Sequence, residues 1–125
     1  MDIGKIDINL SVCSDVLEDG LEWHDVRQLP FSLHGLFYDD ELGRFLRLPN
    51  SVTSAVSDRL AELGTRTAGG RVRFATDSPY IAIRADIGEH GTMPHMCLIG
   101  QIGFDMYRDN IFCAIFKPPA DCGTE

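Results

Sequence analysis

The sequence predicts an all-β fold, an antiparallel β-sandwich of jelly-roll-like type with at most one short helix near residues 51–63. Three observations predict it. Apolar and polar residues alternate with a period of two in several short runs, and Gly, Pro, Asn and Asp punctuate those runs at short intervals. No strand–helix–strand alternation is present that would build a parallel sheet, and seven or so short strands separated by turns are the pattern of a sandwich.

The elements follow in chain order. Ile6, Ile8, Leu10 and Val12 alternate with Asp7, Asn9 and Ser11 as in a half-buried strand, and Asp19-Gly20 turns the chain. A short extended piece lies between Pro30 and Gly35, and Arg44 to Leu48 alternates again before Pro49 breaks it. The period then changes: Val52, Val56, Leu60 and Leu63 fall at helical spacing, with Asn50 or Ser51 as cap and Gly64 as the end. Beyond Gly69-Gly70, Val72, Phe74 and Thr76 share one face, and Ile81, Ile83, Ala85 and Ile87 share another. With Asp77-Ser78-Pro79 between them, these two runs predict a β-hairpin with one apolar face. A loop leads on to the extended run 95–107, then Arg108-Asp109-Asn110 forms a tight turn into the wholly apolar strand that starts at Ile111. The last residues are polar and Pro-rich. The expected organisation is one β-domain over residues 1–115, with 116–125 a tail or linker toward a further domain.

Size and charge narrow the function. A chain of 125 residues buries roughly two thirds of its unfolded surface, so no metal or disulfide staple is needed. A net charge of −8 repels phosphate, which argues against nucleic acid and anionic membranes as partners. No run of 18 apolar residues exists, and the acidic start of the chain does not fit a secretory leader. Cys13, Cys97, Cys113 and Cys122 have no C-x-x-C spacing, so free thiols and a cytoplasmic location are expected, without a metal or cofactor.

Nucleophiles are few. Asp77-Ser78 resembles half of a nucleophile elbow, but Pro79 and an alternating run follow it where a helix is required to supply the oxyanion hole. His90 and His95 are too few for a metal, and Cys97 lies two residues from His95 with only Asp105 as a third partner. No catalytic residue is therefore assigned. The amphipathic aromatics Trp23, Tyr38, Tyr80 and Tyr107 are better candidates, since such rings stack on sugar rings or aglycones while carboxylates and amides such as Asp77, Asp105 and Asn110 bond hydroxyls.

Several motifs in order carry a resemblance. Residues 23–31 (WHDVRQLPF), 45–49 (FLRLP), 67–85 (TAGGRVRFATDSPYIAIRA), 93–96 (MPHM) and 103–107 (GFDMY) together resemble the N-terminal β-sandwich domain of SGNH/GDSL-type acylhydrolases and acyltransferases. That resemblance implies a jelly-roll-like domain, similar to carbohydrate-binding modules, placed before an α/β domain that carries a Gly-Asp-Ser block and an Asp-x-x-His pair. Neither block occurs in this chain. What the resemblance implies is thus a non-catalytic accessory domain whose partner is its own C-terminal SGNH hydrolase domain.

The expected ligand is a small acylated or glycosidic molecule, met by Trp23, Tyr80, His95, Asp105 and Tyr107. Two other readings stay open: a stand-alone carbohydrate-binding module, and a complete serine esterase using Ser78. If the strand from Ile111 is left at an open edge, a homodimer through it is also expected.

Overall fold

In the computed structural model, the structure describes residues 20–88 and 93–118. The expected strand at Ile6–Val12, together with Cys13, His90 and Cys122, lies outside the described residues. The fold is mainly β, with small antiparallel sheets and few short helices, as the alternating runs predict. The elements are β1 (Ser32–His34), β2 (Phe37–Asp39), β3 (Arg44–Leu46), α1 (Asn50–Val56), α2 (Asp58–Gly64), β4 (Arg71–Arg73), α3 (Leu98–Ile102), β5 (Phe104–Arg108) and β6 (Ile111–Phe116). The strands pair as three two-stranded antiparallel ribbons, β1–β4, β2–β3 and β5–β6. By contacts the chain divides into two compact units, Leu21–Pro79 and one containing the described residues from Tyr80 onward.

In the first unit, β2 and β3 form a hairpin in which Phe37 faces Leu46 and Tyr38 faces Phe45. Its turn is closed by the Asp39 carboxylate, which accepts the Leu42 N–H at 2.9 Å, a side-chain substitute for a backbone turn bond. Leu46 points inward and is only 3% exposed. The helical stretch expected as one element is two, broken at Ser57, whose backbone is extended and whose hydroxyl accepts the Leu60 N–H at 3.1 Å as the N-cap of α2.

The break resets the helical phase, so the stripe Val52, Val56, Leu60, Leu63 does not form one buried face. Val52, Val56 and Leu63 are exposed, and the helices meet instead at buried Thr53 and Gly64, small enough for close approach. Pro49, rather than Asn50 or Ser51, precedes the first turn, and no side chain caps it. Arg47 ties the helices back to β3, its N–H donating to the Gly64 carbonyl at 2.7 Å and its guanidinium to the Ala68 carbonyl at 3.2 Å.

The hairpin expected around Asp77-Ser78-Pro79 does not form. β4 pairs with β1, Ser32 opposite Arg73 and His34 opposite Arg71, and residues 74–88 have no strand. Just beyond the β1–β4 ladder, Phe31 and Phe74 pack with ring centroids 5.2 Å apart and planes tilted by 51°. Alternation fixes which side chains share a face of a strand but does not choose the partner. The loop before β4 turns at Gly69, whose φ of +84° is left-handed backbone.

In the second unit, residues expected to be extended open with a single helical turn, α3, whose Ile102 is buried. Gly103 ends it. Its N–H donates to the Ile99 carbonyl at 3.0 Å, and a Cβ added there would stand 2.3 Å from that same oxygen, so only glycine fits. β5 and β6 follow as a hairpin about the expected turn, with Asp109 and Asn110 both at positive φ (52° and 65°), the signature of a two-residue type I′ loop.

Candidate functional site

The β5–β6 hairpin holds two of the residues singled out from the sequence, and its register decides where they stand. Asp105 and Tyr107 are two apart on β5 and so share a face. Opposed residues of a ladder also share a face, which adds Ile115, opposite Asp105, and Phe112, opposite Tyr107. Ile115 and Phe112 are three apart on β6, and a regular strand would place them on opposite sides.

A register shift between Met106 and Tyr107 removes that conflict. Met106 faces Ala114 while Tyr107 faces Phe112, leaving Cys113 as the extra, unpaired residue of a β-bulge. The Cys113 thiol donates to the Met106 carbonyl at 3.3 Å, which pins the bulge. The result is one face carrying Asp105, Tyr107, Phe112 and Ile115. All are exposed, Tyr107 by 61%, Phe112 by 51% and Ile115 by 43%. Tyr107 and Phe112 meet edge to face, centroids 5.8 Å apart and planes at 73°, so each ring limits the other's rotation.

The remaining candidates are placed elsewhere. Tyr80 and His95 belong to the same unit as the hairpin, both exposed and both on segments without regular structure, His95 in the turn before α3. Trp23 is exposed and belongs to the other unit. Ser78 sits in the irregular stretch after β4, its N–H donating to the Thr76 hydroxyl at 3.0 Å, a local turn and not the strand-to-helix elbow of a nucleophile. Cys97 is the exposed residue preceding α3. Among the described residues no three His, Cys, Asp or Glu side chains group as a metal site would require. Also among them, no helix is long and apolar enough to cross a membrane.

A second cluster, in the first unit, was not legible in the sequence. The Arg27 guanidinium lies 4.3 Å above the Tyr38 ring and bonds both oxygens of Asp25, whose carboxylate also accepts the Arg27 N–H at 2.9 Å. Those bonds hold the Asp25 carboxyl down at about 2 and push the Arg27 guanidinium above its ordinary value. Tyr38 also lines a shallow depression of about 370 Å³ with Phe37, Asp39, Glu41 and Asn50. The signal that could have found this cluster is Asp25-x-Arg27, a spacing at which a carboxylate reaches both the backbone and the side chain two residues on. The signal that could have found the other half of the hairpin face is weaker. Phe112 and Ile115 read as buried positions of an apolar strand until the bulge is known.

Among curated proteins and among solved structures, none is similar enough to this chain to count as a match. A family model does match, over residues 21–117, and its description is GxDLY, the N-terminus of esterases of SGNH-hydrolase type. The motif that the name spells is met at Gly103, Asp105 and Tyr107, with Met106 in the place of Leu. In this structure those positions are the glycine that only glycine can fill and the two polar residues of the exposed hairpin face. With most of its length matched, this chain belongs to the GxDLY family, the domain found at the N-terminus of SGNH-type esterases.

Proposed function

We propose that this chain is a non-catalytic accessory domain that helps a C-terminal SGNH hydrolase domain bind an acylated or glycosidic substrate. The observation that carries the proposal is the hairpin face: the Asp and Tyr of the family motif stand side by side and exposed, where a carboxylate and a phenol flank an aromatic surface. A ring face packs on the apolar side of a sugar or on an acyl chain, and a carboxylate accepts hydrogen bonds from hydroxyls. Tyr80 and His95, which belong to the same unit as the hairpin, supply further contacts in this reading. Residues 1–115 then act as the β-domain, and 116–125 as the polar connection toward the hydrolase.

Calorimetry with soluble oligosaccharides and acylated glycosides tests the binding. The expected result is heat with at least one ligand class that is lost in Tyr107→Ala and in Asp105→Ala. Silence across the panel, or heat unchanged in both variants, sinks it.

A further inference from the structure

We propose that the exposed face of the β5–β6 hairpin is the surface on which the SGNH-type esterase domain of the same polypeptide docks, with Phe112 and Ile115 at the centre and Asp105 and Tyr107 at the rim. This rests on the reading of the chain as the N-terminal domain of such an esterase, and it assigns that reading a contact surface.

The composition of the hairpin calls for a cover. β6 reads Ile-Phe-Cys-Ala-Ile-Phe, six residues without a charge or a proline, and among the described residues it pairs only with β5. Free edge strands normally carry Lys, Pro or an inward charge that discourages pairing. On one face Tyr107, Phe112 and Ile115, 61%, 51% and 43% exposed, make an apolar surface of the kind that marks an interaction site.

The position of the hairpin in the chain identifies the cover. The family match ends at residue 117, one residue after β6 ends at Phe116, and the family stands at the N-terminus of an esterase. The polypeptide that leads to the esterase therefore leaves from the end of this strand. Being on the same polypeptide raises the effective concentration of the esterase domain at the hairpin, so even a modest apolar contact suffices for docking. A second copy of this chain is the poorer occupant, because each copy brings a net charge of −8 to the contact. With Phe112 and Ile115 covered, the polar ends of Asp105 and Tyr107 lie at the seam, and clefts for small ligands form preferentially at such seams.

Hydrogen exchange of residues 104–116 tests this, measured in the 125-residue chain and in the longer protein that includes the esterase domain. The expected result is that amides of Ile111–Phe116 exchange at least about tenfold more slowly in the longer protein, and that Ile115→Asp abolishes the difference. Equal exchange in the two proteins overturns the proposal. So does protection that rises with protein concentration alongside a dimer in sedimentation, since the occupant is then a second copy. Fluorophosphonate labelling separates the two readings. A labelled serine beyond residue 125 with an unprotected hairpin defeats the docking alone, and the absence of any labelled serine defeats the esterase reading and the docking with it.

Discussion

Arg27 is held from two sides, by the Asp25 carboxylate and by the Tyr38 ring, and this has a pH consequence. The Asp25 carboxyl falls from its ordinary 3.8 to about 2 because Arg27 bonds the charged form. A carboxyl depressed on folding contributes stability that is present above pH 3.8 and lost as pH falls through about 2. Carbon-detected NMR titration should therefore place the Asp25 midpoint near 2 and move it up toward 3.8 in Arg27→Gln, which removes the guanidinium and keeps the backbone N–H bond. Arg27 is exposed and Asp25 only half-buried, so the loss of overall stability in that variant should be small. Gly103 is the second residue with a sharp consequence. Gly103→Ala places a methyl 2.3 Å from the Ile99 carbonyl oxygen, a backbone atom that cannot swing away, and should destabilise the unit by about 1–3 kcal/mol in denaturant melts. The sequence shows that glycine but gives no reason for it. The reason is the closing turn of α3, which strand-like spacing concealed.

At the scale of elements, turn chemistry was the most legible feature. Arg108-Asp109-Asn110 reads as a tight turn in the sequence and is one, with two consecutive positive φ values. Asn110→Val asks a β-branched residue to hold left-handed backbone and should cost about 1–2 kcal/mol, whereas Asn110→Gly should be neutral or stabilising; thermal melts of the two variants check both. The boundary between α1 and α2 was not legible, because Ser57 fits inside a helical pattern as readily as it caps a new one. Its hydroxyl accepts the Leu60 N–H, so Ser57→Ala should destabilise by about 1 kcal/mol, and Ser57→Asp, which keeps an acceptor at the N-cap, should not. The bulge at Cys113 lay equally beyond reach. The six apolar residues of β6 carry no period, so nothing in them announces that Phe112 and Ile115 end on one face.

At the scale of the whole molecule, the proposed accessory role beside a hydrolase domain sets the prediction. On p-nitrophenyl acetate and butyrate, the longer protein with its hydrolase domain should be active, and the 125-residue chain should not. Activity in the short chain that disappears in Ser78→Ala would reverse that assignment. Local propensity, turn signals and family motifs by themselves determined the β class, the hairpin about Asp109-Asn110, and the kinship with SGNH-type esterases, because each depends on residues near one another in the chain. Only the tertiary structure decided that β4 pairs with β1 across some forty residues instead of with its neighbour, and that a one-residue slip gathers Asp105, Tyr107, Phe112 and Ile115 on an exposed face. Pairing and register are set by which edges and apolar faces are free when the chain collapses, and a period of two in the sequence is the same for every partner a strand could take.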